Sequence, residues 1–170
     1  MPAYIALLRA VNVGGTGKLP MTDLKAICEK AGFTKIKTYI ASGNVVFQSK
    51  LSEAKVKSVL EASLATYAGK PVGVLVRTGP EMAAVLAANP FPQTPGNRTL
   101  AIFLDQQPPA NALEAATGQN GEEMHLGLRE IYIYYGDGMA TSRLKIPAAK
   151  TGTARNMNTL ARLAEMALNL

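Results

Sequence analysis

The sequence is poor in the residues from which many active sites are built. Its 170 residues include one cysteine, Cys28, one histidine, His125, and no tryptophan. A single cysteine excludes a disulfide within the chain, and no cluster of His and Cys gives the spacing of a zinc site. Cys28 is in phase with Leu24 and Ile27 on a predicted helix, so we expect a thiol that packs rather than reacts. The sequence predicts no cofactor and no metal site.

Long hydrophobic runs are also missing. No apolar stretch approaches the roughly 18 residues of a membrane span. The first residues lack the basic region, long apolar segment and cleavage site of a signal peptide. We therefore expect a soluble, cytoplasmic protein with no membrane partner; the sequence specifies no oligomeric state.

The charge is unbalanced, although no run of like charges occurs. The chain has eighteen Lys and Arg residues and twelve Asp and Glu residues, which gives a net charge of +6. Positive charge favours acidic partners such as phosphorylated ligands or nucleic acid. It is equally compatible with a role in solubility alone.

Apolar periodicity predicts alternating strands and helices in the first part of the chain. Strands are predicted at 4–8, 34–40, 44–48 and 72–76, and helices at 20–31 and 52–67, the second capped by Ser52. The order of these elements is βαββαβ. A short helix over 80–88 then leads into a proline-rich connector that cannot be helical.

The pattern restarts beyond the connector. It predicts strands at 99–104, 124–128 and 131–135 and helices at 109–117 and 156–168, in the order βαββα. This order predicts an α+β fold of two tandem ferredoxin-like units, antiparallel sheets with helices packed on them. The predicted division is a first half at 1–79, the helix and connector at 80–97, and a second half at 98–170, the halves sharing a core. Because no repeat is visible residue by residue, a single mixed sheet is the alternative.

An apolar run ends in the segment 9–20, which is rich in glycine and precedes a predicted helix. Exposed backbone N–H groups and the helix dipole favour an anion at such a turn. The segment is not a P-loop, because Asn12 stands at the first glycine position and Leu19 replaces the hydroxyl residue. It is not a dinucleotide fingerprint either, because Pro20 stands where the third glycine belongs. A structural turn and a nonstandard anion site remain open.

A second polar cluster lies within 136–156 and contains the basic residues Arg143, Lys145, Lys150 and Arg155. Thr153 is a plausible cap for the last helix, whose exposed amides would face a ligand. The alternative is a solvated loop with an ordinary cap.

Catalytic constellations have little support. His125 is expected to point outward from a strand, as a surface residue rather than a general base. Glu122 and Glu123 are adjacent on a predicted strand and are expected on opposite faces, which argues against paired carboxylates. Tyr132 and Tyr134 share a face, and packing against helices is the preferred interpretation over a base-stacking platform.

Several of these segments together resemble a bacterial family known as domain of unknown function 1697. The resemblance is carried by residues 8–15, 42–47, 89–91, 142–144 and 153–159. It implies a tandem ferredoxin-like α+β fold and brings no particular substrate or reaction. The chain departs from the family pattern at Met157, where an aromatic residue is usual, and at Arg143, where lysine is common.

The leading hypothesis is a binding protein for a phosphate-bearing or other anionic ligand, a small molecule or nucleotide, in a basic cleft between the two halves. The candidate ligand-binding residues are Arg9, Asn12, Gly14, Gly15, Lys18, Ser42, Asn44, Ser142, Arg143, Arg155 and Asn156. The alternative is nonspecific nucleic-acid binding over a wider basic face that includes Lys35, Lys37 and Lys145. The third is a transferase or hydrolase that uses Ser142 or Thr153 near Arg155. The sequence alone therefore leaves open whether the protein is an enzyme.

Overall fold

The computed structural model describes residues 1–9, 18–40 and 43–170. The chain divides into two compact units, a first unit of 1–83 with 162–170 and a second unit of 84–161. Each unit contains one four-stranded antiparallel sheet among the residues described. No helix in these ranges is long and apolar enough to cross a membrane. The cytoplasmic location and the boundaries at 79/80 and 97/98 remain predictions.

The first unit has the predicted βαββαβ order. Its elements are β1 (Ala3–Leu8), α1 (Met21–Lys30), β2 (Thr34–Thr38), β3 (Asn44–Gln48), α2 (Glu53–Ala68) and β4 (Val74–Thr78), and α3 (Gly79–Ala87) follows. The strands lie in the order β2-β3-β1-β4, and every neighbouring pair is antiparallel. This is the strand order of a ferredoxin-like sheet, so the predicted fold is confirmed.

Alternate residues of β1 point into the hydrophobic core of the first unit. Tyr4, Ala6 and Leu8 are buried in one cluster with Leu24 and Cys28 of α1. From α2 the cluster contains Val56, Leu60 and Leu64, three members of the stripe that the 3.6-residue period predicts, whereas the fourth, Tyr67, is exposed. The rings of Phe33 and Phe47 stack within this cluster with centroids 4.2 Å apart. Helices therefore cover this face of the sheet as the sequence predicts.

Local capping sets where α2 and α3 begin. The Ser52 Oγ accepts the backbone N–H of Lys55 at 3.3 Å, which confirms the predicted cap. At α3 the Thr78 Oγ1 accepts the N–H of Glu81 at 3.2 Å, and the Glu81 Oε1 accepts the N–H of Thr78 at 2.9 Å. This reciprocal pair is a capping box.

The second unit contains β5 (Thr99–Phe103), β6 (Glu123–Leu126), β7 (Glu130–Tyr134), β8 (Thr153–Asn156) and the start of α4 (Met157–Leu168). The strand order is β6-β7-β5-β8, which matches the order in the first sheet. One face carries a core of Leu104, Ile131, Ile133 and Ile146. Short 3₁₀ segments replace the second covering helix before β8, at Gly136–Thr141 and Pro147–Ala149.

The helix predicted over 109–117 is wrong. Residues 110–115 form turns, in which Ala112 N–H bonds to the Pro109 carbonyl and Glu114 N–H to the Asn111 carbonyl, three residues back. Thr117, the last residue of the predicted helix, instead forms an antiparallel bridge with Lys145 through two backbone hydrogen bonds of 2.8 Å. The two bonds of Thr117 to Lys145 place the end of this segment in an extended bridge, so a helix cannot continue to residue 117.

The order βαββα predicted for the second half is also wrong, because strand β8 stands before the last helix. Residue 156, the predicted first residue of this helix, is its N-cap, and the helix begins at Met157. The Asn156 Oδ1 accepts the N–H of Thr159 at 2.9 Å, so Asn156 caps α4 and Thr153 lies in the strand. Strand β8 has no apolar alternation to reveal it, because pairing with β5 defines it.

Candidate functional site

A hydrogen bond between Ser142 and Glu122 joins two loops of the second unit. The Ser142 Oγ donates to the Glu122 Oε2, and the backbone N–H of Asn120 donates to the Oε1. The N–H of Leu144 donates to the Ser142 Oγ at 3.3 Å, and the Gln119 Nε2 donates to the Glu122 carbonyl at 2.7 Å. These bonds fix the orientation of both the carboxylate and the hydroxyl.

The same bonds keep Glu122 ionised. Hydrogen bonding from Ser142, and then from the backbone N–H of Asn120, lowers the pKa of the Glu122 carboxyl below its usual value. Desolvation acts in the opposite direction and is smaller. Glu122 therefore carries a negative charge at neutral pH, although the residue is only 4% exposed.

A pocket of about 390 Å³ opens beside this pair. Its lining consists of Gly118, Asn120, Glu122, Gly138, Thr141, Ser142 and Arg143, all in the second unit. Gly118 has φ of +72°, and a Cβ there would collide with the Arg143 carbonyl oxygen. Only glycine permits this approach of the two loops, which the pairing of Thr117 with Lys145 also maintains.

Two opposite charges line the pocket without pairing with each other. Arg143 is exposed, and its guanidinium makes no ion pair or hydrogen bond with any residue in the described ranges. The donors to the Glu122 carboxylate in those ranges are uncharged. Gly118 and Gly138 add backbone to the wall, and Thr141 adds a hydroxyl. The arrangement suits a polar ligand.

Nucleophilic chemistry at Ser142 finds less support. Its hydroxyl proton points to Glu122, whose lowered pKa makes that carboxylate a weak base. His125 is exposed, as expected, and its Nδ1 lies 2.9 Å from the Leu126 carbonyl oxygen. Thr153 accepts a hydrogen bond of 2.8 Å from Arg155.

The predicted residues of the first unit are partly described. Arg9 is half-buried, its N–H donates to the Gly73 carbonyl at 2.8 Å, and its side chain lies against Gly73. Lys18 is exposed. Asn44 is buried, and its Nδ2 donates to the Tyr39 carbonyl at 2.8 Å. The remaining predicted residues Asn12, Gly14, Gly15 and Ser42 lie outside the described residues.

Arg155 and Asn156 have structural contacts in the second unit. Arg155 is 8% exposed, and its Nη1 donates to the Thr153 Oγ1 and to the Ala154 carbonyl. Burial lowers the pKa of Arg155 to about 10, a value at which it is still charged at neutral pH. The Asn156 Oδ1 is occupied as the cap of α4. A role for either in ligand binding, and the predicted cleft between the halves, remain predictions.

Other sequence expectations concern single side chains. Cys28 is fully buried, and desolvation raises the pKa of its thiol to about 12, so it is unreactive in the folded state. Tyr132 is 2% exposed, and its hydroxyl donates to the Val85 carbonyl at 2.7 Å, so it packs and offers no stacking platform. Within the described ranges no group of His, Cys, Asp or Glu is placed to hold a metal ion.

Sequence reasoning found part of this pocket and missed part of it. The sequence predicts Ser142 and Arg143 as ligand-binding residues, but it does not predict Gly118, Asn120, Thr141 or the carboxylate of Glu122. Glu122 lies just before β6 and is buried, while Glu123 is exposed on the strand. The signal available was the polar turn between Gly118 and Gly121, which marks a loop but not what the loop meets.

Comparison with known proteins agrees with the fold and names no activity. A family model described as "Protein of unknown function (DUF1697)" matches residues 1–132. The structure is similar to that of "conserved bacterial protein SP0830 from Streptococcus pneumoniae", with a TM-score of 0.80, 22% sequence identity and 98% of each chain covered. At that identity the likeness establishes the fold alone. No curated protein matches the sequence.

The family match spans well over half of the chain and includes the segments 8–15, 42–47 and 89–91, which carry part of the resemblance. The chain therefore belongs to the DUF1697 family of proteins of unknown function.

Proposed function

We propose that this protein binds a small anionic ligand, one that carries a phosphate group, in the second-unit pocket beside Arg143. The observation that carries the proposal is an exposed arginine with no ion-pair partner among the described residues, on the wall of a pocket of about 390 Å³. Arginine presents several N–H donors in a planar fork that matches phosphate oxygens. The pocket volume falls in the range of small-molecule sites.

The other lining groups complement this role. Thr141 offers a hydroxyl donor, and the glycines at 118 and 138 leave backbone accessible without side chains. Ser142 acts as a positioning residue, because its proton is already donated to Glu122 and its oxygen accepts from Leu144. The net charge of +6 favours approach of an anion.

The binding test uses titration calorimetry with inorganic phosphate and ethyl phosphate. Wild type is expected to bind both, and Arg143→Gln to bind at least about tenfold more weakly, because a charge-assisted hydrogen bond is lost. Arg162→Gln is the matched control, an exposed arginine of the first unit that changes the charge equally and is expected to bind as wild type does. The absence of binding by wild type, or equal binding by Arg143→Gln, overturns the proposal.

Nucleic-acid binding is the second candidate. Lys35 and Lys37 are both exposed on β2, an edge strand, and Lys145 is exposed in the second unit. The exposed lysines of β2 predict affinity for RNA and DNA that falls steeply with salt and weakens in Lys35→Gln/Lys37→Gln. A gel-retardation series over increasing salt tests it, and the absence of any retarded band at low salt rejects it.

A further inference from the structure

We infer that the ligand of the second-unit pocket is zwitterionic, with an anionic group held by Arg143 and an ammonium group held by Glu122. This inference rests on the proposed function and adds the chemistry of the ligand's second end. Its basis is the arrangement already described, two opposite charges that line one pocket and make no ion pair with each other.

Glu122 has accepting capacity left over. An ionised carboxylate has about four lone-pair sites, and Ser142 and Asn120 each take one. Both bonds hold the carboxylate in one orientation, so a ligand meets preorganised acceptors. Holding a carboxylate in place before binding reduces the entropy that binding costs.

The negative charge of Glu122 decides which kind of ligand group can best donate to its remaining acceptor sites. Its donors among the described residues are the Ser142 hydroxyl and backbone N–H groups, which bond to the oxygens without neutralising the charge. These hydrogen bonds keep the carboxylate ionised at 4% exposure, and it has no cationic partner among the described residues. An ammonium group supplies the missing positive charge, and a hydroxyl supplies only a hydrogen bond.

Arg143 does not fill this role. It belongs to the same lining, yet its guanidinium remains unpaired in the described structure. Because the two charges stay separate, a ligand with one charge of each sign satisfies both at once. A ligand with only an anion leaves Glu122 uncompensated and adds a like charge beside it.

Three phosphate monoesters with the same two-carbon chain isolate the second end. Ethyl phosphate, 2-hydroxyethyl phosphate and 2-aminoethyl phosphate differ only in the terminal group. In calorimetric titrations of the wild-type protein we expect 2-aminoethyl phosphate to bind about tenfold more tightly than ethyl phosphate, with 2-hydroxyethyl phosphate between them.

Variants assign the preference to Glu122. Glu122→Gln is expected to bind ethyl phosphate at least as well as wild type and to lose the preference for the amine. Glu123→Gln, the same change at the exposed neighbour, is expected to keep it. Thermal melting of each variant verifies folding, and 2-aminoethyl phosphate is expected to raise the Tm of wild type more than ethyl phosphate does.

The outcomes separate the inference from the proposed function. Binding of all three esters with equal affinity, or an amine preference that survives in Glu122→Gln, overturns the zwitterion inference and leaves anion binding standing. No binding of any ester by wild type overturns both.

Discussion

Arg77 and Arg155 occupy equivalent positions in the two sheets. Arg77 lies on β4 and Arg155 on β8, each the last strand of its sheet in chain order and an edge strand of it. Arg77 is paired with Ile5 of β1, and Arg155 with Ala101 of β5. In each the Nη1 donates to the carbonyl of the preceding residue at 2.9 Å. The next residue, Thr78 or Asn156, caps the following helix.

This equivalence gives the duplication a basis in individual residues. The sequence predicts two similar units only from the order of their elements. At equivalent positions β4 and β8 have no identical residue other than the arginine. A buried arginine followed by a cap is the common feature that the tertiary structure reveals. Both arginines are nearly inaccessible, at 1% and 8% exposure, which supports a structural role in each unit.

The equivalence predicts equivalent costs of substitution. Arg77→Met and Arg155→Met each remove a buried donor to the preceding carbonyl, and each is expected to lower the free energy of unfolding by about 1–3 kcal/mol. Urea unfolding followed by circular dichroism measures the loss. Arg162→Met, at an exposed arginine, is expected to stay within about 0.5 kcal/mol of wild type. A loss at only one of the two buried positions contradicts the equivalence.

Gly118 and Gly121 provide a matched pair for the approach of the pocket loops. Both have positive φ, +72° and +86°, but a Cβ at 118 would meet the Arg143 carbonyl and a Cβ at 121 would meet nothing within 4 Å. Gly121→Ala therefore costs backbone strain alone, about 1–2 kcal/mol, and Gly118→Ala costs more. Thermal unfolding compares the variants. Equal losses of stability show that the two loops do not depend on this contact.

The Ser142–Glu122 hydrogen bond predicts a pH-dependent loss of stability in Ser142→Ala. Because the pKa of Glu122 is lowered in the folded state, its stabilising contribution is present above the usual carboxyl pKa and is lost as pH falls through the folded value. The variant is expected to melt below wild type at neutral pH and to approach it as pH falls below the usual carboxyl pKa. Ser58→Ala, at an exposed helix position, is the control and is expected to show no such trend. A Tm difference independent of pH contradicts this assignment.

Cys28 predicts an alkaline effect of opposite sign. Burial raises the pKa of its thiol from 9.0 to about 12, so the folded state keeps a proton that the unfolded state releases. Stability is then lost as pH rises from about 9 to about 12. Cys28→Ala removes this part of the slope, about 2 kcal/mol between about pH 8 and about pH 10.5. Urea unfolding at the two pH values measures it, and an unchanged slope in the variant counts against the burial of the thiol.

Local patterns predicted most of the first unit correctly. Strand 44–48, the cap at Ser52 and the apolar stripe of α2 depend on residues near one another in sequence, so propensity and periodicity capture them. The second unit was harder. Residues 109–117 contain helix-forming residues, but pairing of Thr117 with Lys145 across the fold decides their end.

The candidate site shows the same limit. Ser142 and Arg143 stand out in sequence as polar residues of a basic loop, whereas the pattern around Glu122 indicates only that it and Glu123 point to opposite faces. The hydrogen bond from Ser142 spans twenty residues of chain, and nothing in either segment alone indicates the partner. The position of a buried charge that accepts a hydrogen bond from a distant residue is visible only after the chain has folded.

The sequence by itself determined the α+β class, the ferredoxin-like order of the first unit, the inert cysteine and the excess of positive charge, because composition and short-range periodicity carry each of them. Only the tertiary structure decided that β8 completes the second sheet, that Arg77 and Arg155 are counterparts, and that Glu122 and Arg143 line one pocket without pairing. Those relationships depend on strand pairing and loop contacts between residues far apart in the chain, whose free energy has no local signature.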